Sequence, residues 1–95
     1  MSKKIKTPGV KELFAAILSL ETEEECFTFF EDVCTTNEIL SFAQRFQVAK
    51  YLHEGLTYQE IAERSGASTA TISRVKRSID DGNGGYEMIF KRLSN

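Results

Sequence analysis

The chain has 95 residues, of which 41% are apolar, and it contains only six glycines and one proline. This length suits one small domain, and this composition argues against extensive disorder. The formal net charge of −2 argues against a histone-like protein that coats DNA by charge alone. No apolar run approaches membrane-spanning length, and no hydrophobic signal segment follows Met1–Lys4. We therefore expect a cytoplasmic protein with no membrane partner.

Capping motifs divide the chain into helices, and strand signals are absent. Thr7-Pro8 opens the first predicted helix. The spacing T-x-x-E occurs at 22–25 and again at 35–38, and it predicts capping boxes at the starts of the second and third helices. The third helix is the longest and ends near Glu54, before Gly55. With two helices in residues 56–79 and a last one over 86–93, the chain is predicted to be all-α with six helices.

The two short helices within residues 56–79 have the pattern of a helix-turn-helix. A capping box at Thr57-x-x-Glu60 opens the first helix, and Gly66 supplies the left-handed residue that ends it. Ser68 caps the second helix. Ser65, the last residue of the first helix, departs from the pattern, because an apolar residue is commoner there.

The second helix of this motif has two different faces. Its inward stripe at helical spacing comprises Ser68, Ile72, Val75 and Ile79. Its opposite side is short or cationic and comprises Ala70, Ser73, Arg74 and Arg77. Residues 65–79 contain three cations and no acid, and Arg64 adds a fourth beside them. Such a face suits the major groove, so we expect double-stranded DNA as partner and a nucleoid-associated location rather than a surface helical hairpin.

The DNA contacts are expected to fall into two groups. Arginine pairs with guanine, and methyl-bearing side chains suit thymine, so the groove-facing set comprises Thr69, Ala70, Ser73, Arg74 and Arg77. Ser68, at the start of the helix, is also expected to contact DNA. Phosphates, which set register without reading sequence, are expected at Thr57, Gln59 and Lys76. A mobile basic arm at 1–6, with Lys3, Lys4 and Lys6, is expected either to add non-specific affinity or to aid solubility.

Catalytic and metal-binding patterns are missing from the chain. Cys26 and Cys34 lie eight residues apart on one predicted helix, too far for an intrahelical disulfide, and we expect buried thiols. His53 is the single histidine, and no CxxC occurs. We therefore expect neither a metal site nor an enzyme.

Two helices carry more apolar surface than one short chain is expected to cover. The third helix is apolar on more than one side, at Ile39, Leu40, Phe42, Ala43, Phe46, Val48 and Leu52. The second helix carries Phe27, Phe29 and Phe30, which cannot all face one narrow seam. Flanking helices of the same chain are the alternative cover, but a homodimer is expected at this size. Its two-fold symmetry would present two reading helices to half-sites ~34 Å apart.

The order of the helices resembles that of the Trp repressor superfamily, in which the helix-turn-helix is fourth and fifth of six. The matching motifs are residues 41–52 (SFAQRFQVAKYL), Gly55 and residues 67–74 (ASTATISR), and they look closest to the YerC/YecD-type branch. The resemblance implies an intertwined dimer that represses genes of amino-acid metabolism at a palindromic operator. It covers nearly the whole chain, and we expect 1–95 to be one domain with a dimerisation core at 7–54.

The same resemblance implies a place for a small amino-acid-like co-effector. In the tryptophan-binding member, two arginines clamp the ligand, and Arg45 and Arg74 occupy the matching positions. Thr35 or Thr36, and Ser78, match the neighbourhood of that pocket. Val75 stands where the tryptophan binder has glycine and would shrink the pocket. Tryptophan, another small effector and no effector all stay open, as do an ion pair for Arg45 and direct DNA contact for Arg74.

The segment from Glu21 to Glu38 holds seven acids and no base. Its first part, residues 21–32, favours an alternative function, that of a protein-interaction module docking on transcription machinery such as the polymerase. RNA binding is a weaker alternative, because the sequence shows no exposed aromatic platform for unstacked bases.

Overall fold

The computed structural model describes residues 4–94 and contains six α-helices within them. These helices are α1 (Pro8–Leu18), α2 (Glu23–Val33), α3 (Thr36–His53), α4 (Tyr58–Ser65), α5 (Thr69–Asp81) and α6 (Gly85–Leu93). No strand occurs in this part of the chain. The predicted all-α class and six helices are confirmed, although α5 runs two residues further than expected and α6 begins one residue earlier. None of these helices is long and apolar enough to cross a membrane.

The chain forms two compact units, one up to Thr36 and the other from Asn37 onwards. The N-terminal unit contains α1 and α2, and each begins at a threonine cap. The Thr7 hydroxyl accepts from the backbone N–H of Val10 at 3.2 Å, as expected. The Thr22 hydroxyl accepts from that of Glu25 at 3.1 Å.

The capping box predicted at 22–25 is only half formed. A capping box requires the Glu25 carboxylate to accept from the N–H of Thr22. Its Oε1 accepts instead from the N–H of Glu21 at 2.8 Å. Both donors are at the start of the helix, and the flexible glutamate side chain reaches back one residue further than the motif requires.

The expectation of buried thiols is wrong for Cys26, which is exposed. The physical reason is that no residue of α1 or α2 is buried, so a position on α2 has no core to enter. Cys34 is half-buried and caps α2 with extended backbone, just beyond the helix. Both thiols are free.

The C-terminal unit has a small core beneath α4 and α5. Its buried residues come from α3, α4, α5 and the turn between the last two, and they are Val48, Ala49, Ile61, Ala67, Ile72 and Val75. Half-buried apolar residues surround them, including Ala62, Leu52 and Ile79. The hydrophobic stripe of the helix-turn-helix therefore provides most of the interior of this unit.

In the same unit, α3 ends in a hydrogen-bonded turn and is in contact with α6. α3 ends at His53 as expected, and the N–H of Leu56 donates back to the carbonyl of Tyr51 at 3.1 Å, a closure typical of a helix that ends at glycine. On α6, the Phe90 ring lies 5.5 Å from that of Phe46 and 4.9 Å from that of His53. These ring contacts join α6 to α3.

Candidate nucleic-acid interface

The first helix of the motif is held by the predicted capping box. The Thr57 hydroxyl accepts from the N–H of Glu60 at 3.2 Å, and the Glu60 carboxylate accepts from the N–H of Thr57 at 2.9 Å. Gly66 ends α4 with φ of 74°, a left-handed conformation in which glycine has no steric penalty. Thr57 and Gln59, both expected to contact phosphates, are exposed.

The capping box also changes the acidity of Glu60. The backbone N–H of Thr57, followed by the Thr57 side chain and the charge of Arg64, holds the pKa of the Glu60 carboxyl below its ordinary value of 4.5. These groups favour the ionised form of the carboxyl. The capping box at the start of α4 therefore favours an ionised Glu60.

α5 begins at Thr69 after its cap Ser68, and it buries one side, as its pattern predicts. The Ser68 hydroxyl accepts from the N–H of Thr71 and donates to the Thr71 hydroxyl, both at 3.2 Å. Ile72 and Val75 are 0% and 2% exposed, and Ile79 is half-buried. Ser68 itself is exposed, so its placement on the inward stripe is wrong, because its hydroxyl is engaged as the helix cap.

The opposite side of α5 presents most of the groove-facing set to solvent. Thr69, Ala70, Arg74 and Arg77 are exposed, and Ser73 is half-buried. Two guanidinium groups and short side chains therefore share the surface of one helix, while the opposite side of the same helix belongs to the core.

Of the basic arm, Lys4 and Lys6 are exposed, and Lys3 lies outside the described residues.

Lys76 has different surroundings from these residues. Its Nζ donates to Asp80 Oδ2 at 2.8 Å, and this hydrogen bond, together with the charge of Asp80, raises the pKa of the Lys76 ammonium. Both side chains line a cavity of about 240 Å³ next to α6, with Leu52, His53, Ile79, Tyr86, Glu87 and Phe90. A phosphate contact from Lys76 would have to compete with Asp80.

The residues matched to an effector pocket are distributed over both units. Thr35 belongs to the N-terminal unit, and Arg45, Arg74 and Ser78 belong to the C-terminal one. The Arg45 guanidinium lies 5.0 Å from the centroid of the Phe42 ring, within the range of a cation–π contact. Ser78 lines an open groove of about 470 Å³ with Phe46, Gly82, Asn83, Gly85, Tyr86 and Ile89, and neither arginine is among these residues.

Two polar residues with no role predicted from the sequence meet at the end of α4. Gln44 Nε2 of α3 donates to the backbone carbonyl of Ser65 at 3.2 Å. The sequence does contain a signal for this contact, because each of the two residues is polar within an otherwise apolar pattern. Ser65 occupies a commonly apolar position, and Gln44 precedes the buried Val48 by one helical turn.

Metal binding has no candidate in the part of the chain that the structure describes. No group of three or more His, Cys, Asp or Glu side chains is placed there to hold an ion.

Known proteins are similar to this chain in sequence and in the arrangement of helices. The sequence profile of the family described as Trp repressor protein matches residues 8–94. YerC of Bacillus subtilis (strain 168), an uncharacterized protein, is 53% identical over 90 residues, covering 95% of this chain and 86% of YerC. The solved structure of a TrpR-like protein from Eubacterium eligens ATCC 27750 is 61% identical, with a TM-score of 0.95, covering 97% of this chain and 95% of that chain.

A solved Staphylococcus aureus protein is 55% identical, with a TM-score of 0.94, over 97% of this chain and 92% of that chain. These matches confirm the predicted Trp-repressor-like fold and the resemblance to the YerC type. The chain therefore belongs to the Trp repressor family, a family of DNA-binding regulators rather than enzymes.

Proposed function

We propose that this chain is a sequence-specific DNA-binding repressor of amino-acid metabolism genes, and that α5 is its reading helix. The observation that carries the proposal is the division of α5 into two faces. Ile72 and Val75 are buried, whereas Arg74 and Arg77 are exposed. A helix held by its apolar face, with cations and short side chains outward, has the form that enters a major groove.

The proposed contacts keep the two groups expected from the sequence. Arg74 and Arg77 read guanine, Thr69 and Ala70 lie against thymine methyl groups, and Ser73 approaches a base edge. Phosphates bind at the start of each helix of the motif, through Thr57, Gln59 and Ser68, and at Lys76 once its pair with Asp80 opens.

We propose that the protein binds a palindromic operator as a homodimer. Exposed apolar side chains on three of the helices support this, namely Leu18 (84% exposed), Phe27 (61%), Leu40 (61%) and Phe42 (53%). A contiguous exposed apolar surface is typical of a face that a partner covers, and we propose that the second copy covers these side chains. A two-fold dimer places one α5 at each half-site.

For the effector, the burial of Val75 favours a small amino-acid-like molecule other than tryptophan, or none. Val75 is 2% exposed and belongs to the core. Its branched side chain fills the position at which the tryptophan-binding relative has glycine. Arg45, Arg74, Ser78 and Thr35 remain the proposed ligand-binding residues.

The experiment that tests the proposed function is selection of genomic DNA. Purified protein is mixed with sheared genomic fragments at fixed salt, and the retained fragments are sequenced. The proposal expects enrichment of a few sites that share an inverted repeat. Uniform recovery of the genome would contradict sequence-specific binding.

A protein-interaction module is the second candidate, and the surface of α2 favours it. Glu23, Glu24 and Glu25 form the acidic first turn of that helix, and Phe27 and Val33 are exposed on it. Such a module would retain no enriched fragments in the same experiment, so one measurement separates the two functions.

A further inference from the structure

The carbonyl of Ser65 is satisfied by a residue from another helix. The last carbonyls of an α-helix lack partners within the helix, and Ser65 is the final residue of α4. Gln44 Nε2 of α3 donates to this carbonyl at 3.2 Å in a partly buried position. Because a carbonyl can only accept, the amide nitrogen of Gln44, and not its oxygen, must face Ser65. The contact ties α3 to the end of α4, immediately before the turn.

The hydroxyl of Ser65 continues this connection into the turn. It donates to the carbonyl of Ile61 at 2.7 Å and accepts from the N–H of Ala67 at 3.1 Å. Ala67 is buried and directly precedes Ser68, the cap of α5. Hydrogen bonds thus lead from Gln44 through Ser65 to the residue before the reading helix.

A second contact joins the same end of α4 to α3. The guanidinium of Arg64 lies 6.0 Å from the centroid of the Tyr51 ring, at the outer limit of a cation–π contact. The apolar core beneath α4 holds α3 by packing, in which the hydrophobic attraction itself is non-directional. The Gln44–Ser65 hydrogen bond is directional and adds a constraint on the angle between the two helices.

We infer that Gln44 is a positioning residue for DNA recognition. Through its hydrogen bond to Ser65, Gln44 sets the angle between α3 and the helix-turn-helix. The inference rests on the proposed function. Base contacts require side chains to be held within about 0.5 Å of the productive geometry, whereas phosphate contacts tolerate more movement. Loss of the hydrogen bond therefore weakens binding to the specific site and leaves binding to other DNA nearly unchanged.

The test compares three variants by fluorescence anisotropy, each with the best-enriched genomic site and a scrambled duplex of equal length. Gln44→Met keeps the length of the side chain but has no donor. Gln44→Lys keeps a donor of similar reach, and Gln47→Met is the matched control at an exposed position of α3. Gln44→Met is expected to weaken binding to the site about three- to tenfold, the range for one lost hydrogen bond. Its affinity for the scrambled duplex is expected to stay within about twofold of wild type.

Gln44→Lys is expected to keep the preference for the site over the scrambled duplex, and Gln47→Met to bind both duplexes like wild type. Circular dichroism at the assay temperature gives the folded fraction of each variant. Should Gln44→Met fold poorly, Gln44→Glu serves in its place, because a carboxylate has the same shape and no donor at neutral pH.

Two results would overturn the inference while leaving the proposed function intact. One is a Gln44→Met protein that keeps the wild-type preference for the site. The other is an equal loss of affinity for both duplexes, which indicates a purely structural role. A wild-type protein that does not distinguish the two duplexes would refute the proposed function, and the inference with it.

Discussion

Arg77 and Lys76 are neighbours in the chain, yet their side chains have different surroundings. Lys76 is paired with Asp80 on the side of α5 next to α6, whereas Arg77 is exposed on the outer side. Arginine also has the planar fork that matches guanine, which lysine lacks. Residue type and position together therefore make Arg77 the better candidate for base reading.

Arg77→Ala is expected to weaken operator binding by about 1–3 kcal/mol and to relax specificity at one base position. Lys76→Ala should weaken binding less, and similarly for all sequences, because a phosphate contact carries no sequence information. Anisotropy titration at fixed salt measures both. Arg92→Ala, on the exposed surface of α6, removes the same charge and serves as control. Equal affinities for Arg77→Ala and wild type would remove Arg77 from the interface.

Acid is expected to weaken the start of α4 through Glu60. The folded-state pKa of Glu60 is lowered from 4.5, so its contribution to stability is complete above the unfolded-state pKa and is lost as the pH falls through the folded-state value. Glu60→Gln, which can still accept in the capping box but carries no charge, should lower stability slightly at pH 7 and flatten its decline in acid. Thermal unfolding between about pH 7 and 3 measures this, with Glu63→Gln as control. An unchanged acid decline would show that Glu60 does not contribute.

At the scale of the helices, the starts and stops were largely predictable, because they depend on neighbours in the sequence. The caps at Thr7, Thr57 and Ser68, and the stop at Gly66, agree with their spacing patterns. The exposure of Cys26 was not predictable, since it depends on which helices cover α2. The roles of Gln44 and Ser65 were missed for the same reason, because their contact joins residues far apart in the chain.

The end of α5 provides an element-scale prediction. A Cβ added at Gly82 would overlap the carbonyl oxygen of Ser78, whereas one added at Gly85 would meet nothing within 4 Å. Gly82→Ala is therefore expected to lower the free energy of unfolding by about 1–3 kcal/mol. Gly85→Ala, at the start of α6, should be neutral or slightly stabilising. Denaturant unfolding of the two variants measures the difference, and equal midpoints would refute the close approach at Gly82.

At the scale of the whole molecule, the exposed apolar side chains determine the expected assembly. Leu40 and Phe42, on α3, are 61% and 53% exposed, and covering them in a second copy would remove that surface from water. We expect light scattering to give twice the 10.7 kDa of one chain. Leu40→Glu should shift the mass towards one chain, whereas Gln47→Glu, on the same helix, should not. A wild-type mass of 10.7 kDa would contradict the dimer.

The sequence could predict the apolar surface of α2 and α3, but not which of these side chains stay exposed. The apolar positions are evident from their spacing, whereas the exposure of Leu40 and Phe42 depends on how the helices pack in the folded chain.

Nuclease protection on the best-enriched genomic fragment tests most directly whether the outer face of α5 reads DNA. Wild-type protein should protect two inverted half-sites with centres ~34 Å apart. The double variant Arg74→Ala/Arg77→Ala, with its fold verified by circular dichroism, should leave the fragment unprotected at the same concentration. Protection by the double variant equal to that by wild type would contradict the account, as would the absence of any footprint with wild-type protein.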